Sequence, residues 1–218
     1  NEDITENPDG IALHKEYYSE DASFFNLNTT FTGDTKTQRG FSWQATEEYS
    51  DMVIEYSEGS SLSDTTQVQA DYTLCPVVYS HDVIYAEEED VSYYDNMLFY
   101  QISIDNLKPG TTYSYRIGDK TKNEWSEVYS FTTESNNTEE FSIIAVTDTQ
   151  AYTENSFSYY NKALTSAKQD CENPAFMAHL GDITENGTCD DWWNMYFKAS
   201  AGFCESVPTV ATFGNHEA

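Results

Sequence analysis

The stretch AFMAHLGDITENG, residues 175–187, decides the fold, because an apolar run passes directly into a polar loop that could bind metal. Its first six residues have the length and apolar content of a buried strand in a parallel sheet. The same arrangement occurs twice more. Residues 142–147 run into DTQ at 148–150, and residues 209–213 run into GNHE at 214–217. The sequence therefore predicts three buried strands, each ending in a polar loop.

The loops recur at an even spacing, which indicates a repeated α/β unit. Asp148 and Asp182 are 34 residues apart (182 − 148), and Asp182 and Asn215 are 33 apart (215 − 182). A strand–helix–strand crossover occupies about 30 residues or more. Ligands of open α/β sheets bind beyond the carboxyl ends of the strands, so we expect these side chains to meet in one crevice. Two carboxylates, an amide oxygen and the imidazole of His216 favour a two-metal site for phosphate-ester chemistry.

These loops resemble the motifs of calcineurin-like metallophosphoesterases, D-x-[HGQ], GD-x-x and GNH-[DE], in the same order. The resemblance implies that Asp148 binds one metal, Asn215 binds the other and Asp182 bridges the two. It gives His216 the role of orienting or protonating the phosphate ester, which suits a side chain with an ordinary pKa near ~6.5. The implied cofactors are two divalent or trivalent ions, Fe, Zn or Mn.

Two residues depart from the family pattern. Gln150 stands where many members place a metal-binding histidine, and a neutral amide is a weaker ligand for transition ions, so we expect an altered first metal site. Glu185 follows Asp182 by three residues, where purple acid phosphatases carry the tyrosine that produces their colour, and no purple colour is expected. Glu185 is either a carboxylate ligand or an outer hydrogen-bond partner of the ligands, and we favour the second.

The remaining histidines do not complete the site. His179 precedes Leu180 at the end of an apolar run and is expected to pack in the core rather than to bind metal. The family completes both metal sites with histidines farther along than position 218. We therefore interpret the chain as an incomplete fragment of a longer parent protein.

Upstream of the α/β part, the sequence predicts a β-sandwich of seven short strands. Phe, Tyr, Thr, Val and Ile dominate there, and several segments alternate apolar with polar residues. The predicted strands are residues 23–33, 39–46, 51–57, 66–74, 97–105, 111–118 and 127–133. Trp43 reads as a core residue of the second strand.

Residues 107–118, LKPGTTYSYRIG, are similar to a stretch of fibronectin type III-like domains. With Trp125 and residues 131–133, they also resemble the N-terminal domain of purple acid phosphatases. The expected fold class is multi-domain, all-β plus α/β. Its expected parts are an acidic leader, the fibronectin type III-like domain, a polar linker and the first part of a metallophosphoesterase domain, at residues 1–22, 23–134, 135–140 and 141–218.

Composition limits the partners. The formal net charge of −28 repels nucleic acid, and no apolar stretch is long enough to span a membrane, so neither partner is expected. The family resemblance favours an extracellular or cell-surface location. The cysteines allow three full pairings, and in an exported protein Cys189 with Cys204 is the first pairing to test, while Cys75 is expected to stay unpaired.

The resemblance implies a metal-dependent hydrolase of phosphomonoesters, with phosphodiesters as a second choice and a small phosphate ester as the substrate. One alternative stays open. Fibronectin-like sandwiches occur as spacers and adhesion modules in unrelated proteins, and fold alone decides no function. The chain could therefore belong to a non-catalytic extracellular binding module with a degenerate phosphoesterase part.

Overall fold

The computed structural model describes residues 24–77 and 95–218. The predicted leader, residues 1–22, lies outside the described residues. The described part holds a β-sandwich followed by a smaller α/β part, which confirms the predicted fold class.

Two antiparallel sheets form the sandwich. Alternating apolar and polar residues suit this arrangement, because successive side chains of a strand point to opposite faces. One sheet has the order β1-β2-β6-β5, and the other has the order β4-β3-β7-β8 with β9 also paired to β7. The strands are β1 (Phe24–Thr30), β2 (Arg39–Thr46), β3 (Met52–Glu58), β4 (Thr66–Gln69), β5 (Asp71–Val77), β6 (Asp95–Ile104), β7 (Thr112–Asp119), β8 (Glu124–Trp125) and β9 (Tyr129–Thr132).

Aromatic side chains fill the space between the sheets. The predicted core residue Trp43 is buried and stacks on Tyr100, with ring centroids 5.1 Å apart and an interplanar angle of 9°. Phe41 packs against Tyr115 at a centroid distance of 4.7 Å. The even-numbered residues Ser42 and Gln44 lie on the other face of β2, toward the α/β part. The alternation along this strand therefore separates residues of the sandwich core from residues that face the α/β part.

The prediction of one strand over residues 66–74 is wrong. The segment divides at Ala70 into β4, which pairs with β3, and β5, which pairs with β6 in the opposite sheet. Ala70 is buried at this crossing, and its N–H donates to the carbonyl of Met52 over 3.1 Å. The sequence carries no glycine or proline at residues 69–71 to mark the break.

The α/β part contains a parallel sheet of order β10-β11-β12 and two helices against one of its faces. Thr153 caps the first helix through its hydroxyl, which accepts from the N–H of Ser156 over 3.2 Å. Phe157, Tyr160 and Leu164 then recur on one side of this helix and pack on the sheet. The elements are β10 (Ile143–Val146), α1 (Glu154–Asp170), β11 (Phe176–His179), α2 (Asp190–Ala199) and β12 (Thr209–Ala211).

Hydrogen bonds join the sandwich to the α/β part along a polar seam. The backbone N–H of Thr29 donates to the carbonyl of Cys204 over 2.9 Å, and the buried hydroxyl of Tyr115 donates to the carbonyl of Glu205 over 2.6 Å. Across the same seam, the Gln44 amide donates to the carboxylate of Asp190 over 2.8 Å. The two parts are thus fixed to each other by directed contacts. Within residues 24–77 and 95–218, no helix has the length and apolar character needed to span a bilayer.

Candidate metal centre

The three strand-end loops meet at the carboxyl edge of the parallel sheet. The N–H groups of Asp148 and Thr149 donate to the carbonyls of Gly181 and Asp182, over 3.1 and 2.9 Å, and these bonds join the first loop to the second. The N–H of His216 donates to Oδ1 of Asp182 over 3.1 Å, and this bond joins the third loop to the second. The structure therefore brings together the loops that carry the predicted site residues.

The backbone is unusual at both aspartates. Asp148 and Asp182 have φ angles of 53° and 51°, in the left-handed region that few non-glycine residues adopt. Such conformations cost free energy and persist only where the surrounding structure enforces them. Here the second and third loops touch so closely that a Cβ on Gly214 would lie 2.0 Å from Oδ1 of Asp182. Position 214 therefore requires glycine.

The carboxylate of Glu217 holds the second and third loops together. It accepts four backbone N–H groups, those of Asp182, Ile183, Thr184 and Gly214, over 2.7 to 3.0 Å. Partial burial alone would raise the pKa of Glu217, but the four N–H donors outweigh it and hold the pKa below its ordinary value. Glu217 is not among the site residues predicted from the sequence. The only available signal was the acidic residue that ends the GNHE motif.

His216 is oriented by the second loop. Its Nδ1 lies 2.8 Å from the carbonyl oxygen of Glu185, and because a carbonyl only accepts, Nδ1 carries a proton. The other ring nitrogen, Nε2, is therefore the one that can gain or lose a proton. The bond to the Glu185 carbonyl and the nearby carboxylates of Glu185 and Asp182 raise the pKa of His216 above its ordinary value.

Glu185 connects the first loop to His216. The hydroxyl of Tyr152 donates to its carboxylate, and the same Oε1 lies 3.7 Å from Nδ1 of His216. This hydrogen bond to Glu185 raises the pKa of Tyr152. Tyr152 itself packs edge-on against Trp192, with ring centroids 6.0 Å apart. One carboxylate oxygen of Glu185 is therefore engaged by the Tyr152 hydroxyl and lies near His216.

His179 is a core residue, as predicted. It is 1% exposed, and burial lowers its pKa. The N–H of Gly181 approaches its Nδ1 at 3.4 Å, so Nε2 carries the proton and donates to Oγ1 of Thr149 over 2.9 Å. Thr149 in turn donates to the carbonyl of Ile183 over 2.9 Å. The neutral imidazole thus braces the first loop against the second and is not placed as a ligand.

The donors at this edge fit part of a metal site. Asp148 and Asn215 are exposed and Asp182 is half-buried, so three hard oxygen donors are open to an ion. The side-chain oxygen of Gln150 is buried and has no hydrogen-bond partner in the described part of the chain. No cluster of three or more His, Cys, Asp or Glu residues suited to metal binding occurs in residues 24–77 and 95–218. The donor set is therefore compatible with a hard or borderline ion but incomplete.

The cysteine pairing considered for an exported protein is not formed. Cys204 is a buried free thiol that accepts the hydroxyl of Thr209 over 3.6 Å, so it is not bonded to Cys189. Burial raises the pKa of the Cys204 thiol to about 11, which makes it unreactive at neutral pH. Cys75 is also a free thiol, as expected.

Two family models match the chain. The model described as purple acid phosphatase, N-terminal domain, matches residues 25–133, which is half of the chain. The model described as calcineurin-like phosphoesterase matches residues 141–218. The matches follow one another in the same order as the sandwich and the α/β part.

Individual relatives agree with these models. A protein of Arabidopsis thaliana named "Probable inactive purple acid phosphatase 9" is 29% identical over 122 residues, which are 51% of this chain and 19% of the relative. The solved structure of a purple acid phosphatase isolated from yellow lupin (Lupinus luteus) seeds matches with a TM-score of 0.68 and 15% identity, over 89% of this chain and 36% of that chain. The chain thus spans well under half of either relative.

Proposed function

This chain belongs to the purple acid phosphatase family of calcineurin-like phosphoesterases, and on that premise we propose that it carries the first three metal-site loops of a phosphomonoesterase. Phosphodiesters are the second choice of substrate. The observation that carries the proposal is the meeting of the three loops at one sheet edge, with both aspartates in left-handed backbone conformations. The relatives are longer than this chain, so the activity is proposed for the protein with a complete phosphoesterase domain.

Asp148, Asp182 and Asn215 are the proposed metal ligands, with Asp182 bridging two ions of Fe, Zn or Mn. Bound there, such ions would polarise phosphoryl oxygens and lower the pKa of a bound water. The net charge of −28 does not oppose an anionic substrate at this edge, because bound cations would supply the local positive charge. By family resemblance, we also propose an extracellular or cell-surface location.

His216 is the proposed catalytic residue. Its Nδ1 proton is engaged by the Glu185 carbonyl, so Nε2 can bind the phosphate ester or give a proton to the leaving oxygen. Glu185 and Tyr152 are proposed as positioning residues. Their contacts fix the imidazole from the side of the first loop and require no ligand role for Glu185.

We divide the chain at the boundaries that the sequence suggested. Residues 23–134 form the proposed fibronectin type III-like domain, residues 135–140 the linker and residues 141–218 the partial phosphoesterase domain. Support comes from the position of the last sandwich strand, Tyr129–Thr132, and of the first parallel strand, Ile143–Val146, on either side of the proposed linker.

A second candidate function is a binding module with a degenerate metal centre. Gln150 in place of a histidine favours it, as does the word "inactive" in the name of the Arabidopsis relative. The two candidates differ in the first metal site. A Gln150→His variant of the complete protein should gain a metal ion and turnover if the site is degenerate, and should change neither strongly if the site already functions.

The experiment that tests the proposal is turnover of p-nitrophenyl phosphate by the complete protein and its Asp182→Ala variant. We expect the variant to lose nearly all activity, because the bridging carboxylate is gone. Asp170→Ala, an exposed carboxylate at the end of α1, is the matched control and should keep full activity. Activity of Asp182→Ala above a few per cent of the control would contradict the bridging role.

A further inference from the structure

A cavity of about 390 Å³ lies at the seam between the sandwich and the α/β part. The outer face of the sheet β1-β2-β6-β5 forms one side, and α2 with the loop before it forms the other. None of Asp148, Asp182, Asn215 and His216 is among its lining residues. Its volume falls in the range of small-ligand pockets, about 300–1,000 Å³, which often occur between domains.

Neutral polar side chains line part of the sheet side of the cavity, beside the apolar side chains of Pro76, Val77 and Phe99. Asn28, Ser42 and Gln101 are neighbours across three strands, since Ser42 lies opposite Asn28 in β1 and opposite Gln101 in β6. Asn28 and Ser42 are linked by a 3.1 Å hydrogen bond from the serine hydroxyl, while the side chain of Gln101 is exposed. Amide and hydroxyl groups of this kind can both donate to and accept from a hydroxylated ligand.

Aromatic rings form the opposite side. Trp193 and Phe197 are one turn apart on α2, half-buried and nearly parallel, with ring centroids 6.4 Å apart and an interplanar angle of 30°. The indole N–H of Trp193 donates to the carbonyl of Gly187 over 2.9 Å, which fixes the ring. The cavity thus presents a rigid aromatic surface that faces a row of amides and hydroxyls.

The charges on the described lining of the cavity disfavour an anionic ligand. Among the described residues that line it, Asp190 is the only charged one, and neither Lys nor Arg occurs. A phosphate or carboxylate group would therefore meet repulsion without a compensating cation. The two carboxylate oxygens of Asp190 already accept amide N–H groups from Gln44 and Asn194, over 2.8 and 3.1 Å. The Asp190 carboxylate therefore stabilises the contact between the sandwich and α2.

We propose that this cavity binds a neutral saccharide, one or two sugar units in size. A pyranose ring has an apolar C–H face that can stack on Trp193 and Phe197, and hydroxyl groups at its edge that can pair with Asn28, Ser42 and Gln101. The site needs no metal and does not depend on the proposed phosphoesterase function. It gives the seam a binding role of its own.

Nuclear magnetic resonance of the isotope-labelled 218-residue chain tests the proposal. The probes are methyl glycosides of glucose, galactose, mannose and N-acetylglucosamine, and the corresponding disaccharides. At least one should shift the side-chain amide of Gln101 and the indole N–H of Trp193 in a saturable way, with a dissociation constant on the order of millimolar, typical of a small ligand with few contacts.

Two variants locate the binding. Gln101→Ala removes an exposed amide of the cavity and should weaken the best sugar at least fivefold. Tyr159→Ala removes an exposed aromatic ring of α1 away from the cavity and should leave the affinity unchanged. A third variant, Trp193→Phe, keeps a ring for packing and should weaken the binding of the best sugar because the stacking surface is smaller.

Three results would overturn the proposal. In the first, no sugar of the panel shifts the resonances of the cavity at 50-fold the concentration of the protein or at any higher concentration tested. In the second, choline or adenosine saturates the same resonances while the sugars do not, which would mean a cationic or nucleoside ligand. In the third, Gln101→Ala binds the best sugar with unchanged affinity.

Discussion

At the scale of single residues, side chains other than the proposed metal ligands hold the loop backbone of the candidate metal centre in position. Glu217 collects four backbone N–H groups, and His179 braces the first loop against the second from inside the core. Both act through the backbone around Asp148 and Asp182. The left-handed conformations of the two aspartates are therefore held by contacts from other loops.

Glu217→Gln should release the second loop. A glutamine offers only one acceptor oxygen, and its NH₂ group would face N–H donors, so at least two of the four bonds are lost. We expect a loss of about 1–3 kcal/mol in the free energy of unfolding, the usual cost of unpaired buried polar groups. Chemical denaturation measures this change.

Hydrogen exchange of the same Glu217→Gln variant locates the effect. The amides of Asp182, Ile183, Thr184 and Gly214 should exchange faster, while those of α1 stay protected. Glu139→Gln, an exposed residue of the proposed linker, is the matched control. Unchanged exchange at the four amides would refute the role assigned to Glu217.

Gly214→Ala should destabilise the protein, because the added Cβ would lie 2.3 Å from the backbone nitrogen of Asp182 as well as 2.0 Å from its carboxylate. Overpacking of this kind costs about 1–3 kcal/mol. Gly33→Ala is the control, since its Cβ meets only the end of the flexible Gln38 side chain. Thermal unfolding should show that Gly214→Ala is less stable than Gly33→Ala. Equal stability of the two variants would contradict the close contact at Gly214.

At the scale of elements, the loops could be predicted from sequence but the contacts between them could not. An apolar run followed by Asp148 or Asp182 is visible in one segment of chain. Three of the four N–H groups that Glu217 accepts lie more than 30 residues away in the chain, and no local pattern encodes these contacts. The same limit explains the missed break at Ala70, where only the pairing of β4 and β5 in opposite sheets reveals two strands.

Glu205→Gln should stabilise the protein at neutral pH. Glu205, in the segment between α2 and β12, is 7% exposed, and its Oε2 has no hydrogen-bond partner among the described residues. Burial raises the pKa of this carboxyl. The folded state therefore holds the proton more tightly than the unfolded state, and stability falls as pH rises from the unfolded pKa through the folded one.

The pH dependence of the Glu205→Gln effect is the measurement. Below the ordinary carboxyl pKa, at about pH 4, the native side chain is protonated and resembles glutamine, so the two proteins should differ little in free energy of unfolding. At pH 7 the variant should be the more stable. A variant that is less stable at pH 7 would mean that the Glu205 charge has a stabilising partner.

At the scale of the whole molecule, the hydrogen bonds of the seam fix the sandwich and the α/β part to each other. The order of the two parts and the fold class follow from the sequence, because strand alternation and strand-end motifs are both local patterns. The contacts of the seam cannot be predicted from the sequence in this way. Its bonds join residues such as Thr30 and Thr209, whose hydroxyl and carbonyl meet at 2.8 Å although they are far apart in the chain.

Tyr115→Phe should reveal this coupling. The substitution deletes the buried hydroxyl that donates to the Glu205 carbonyl and should cost about 0.5–1.5 kcal/mol. Although Tyr115 lies in the sandwich, we expect hydrogen exchange to rise in α1 and α2 as well. Tyr159→Phe, at an exposed position, is the control. Faster exchange confined to the sandwich would mean that the two parts unfold independently.

The most direct test of the central claim is the metal content of the complete protein after loading with manganese, zinc or iron, measured by elemental analysis. We expect two ions per chain, at most one in the Asp182→Ala variant, and unchanged metal content in Asp170→Ala. A complete, folded protein that retains no metal after loading would contradict the claim that the three strand-end loops build a two-metal phosphoesterase centre.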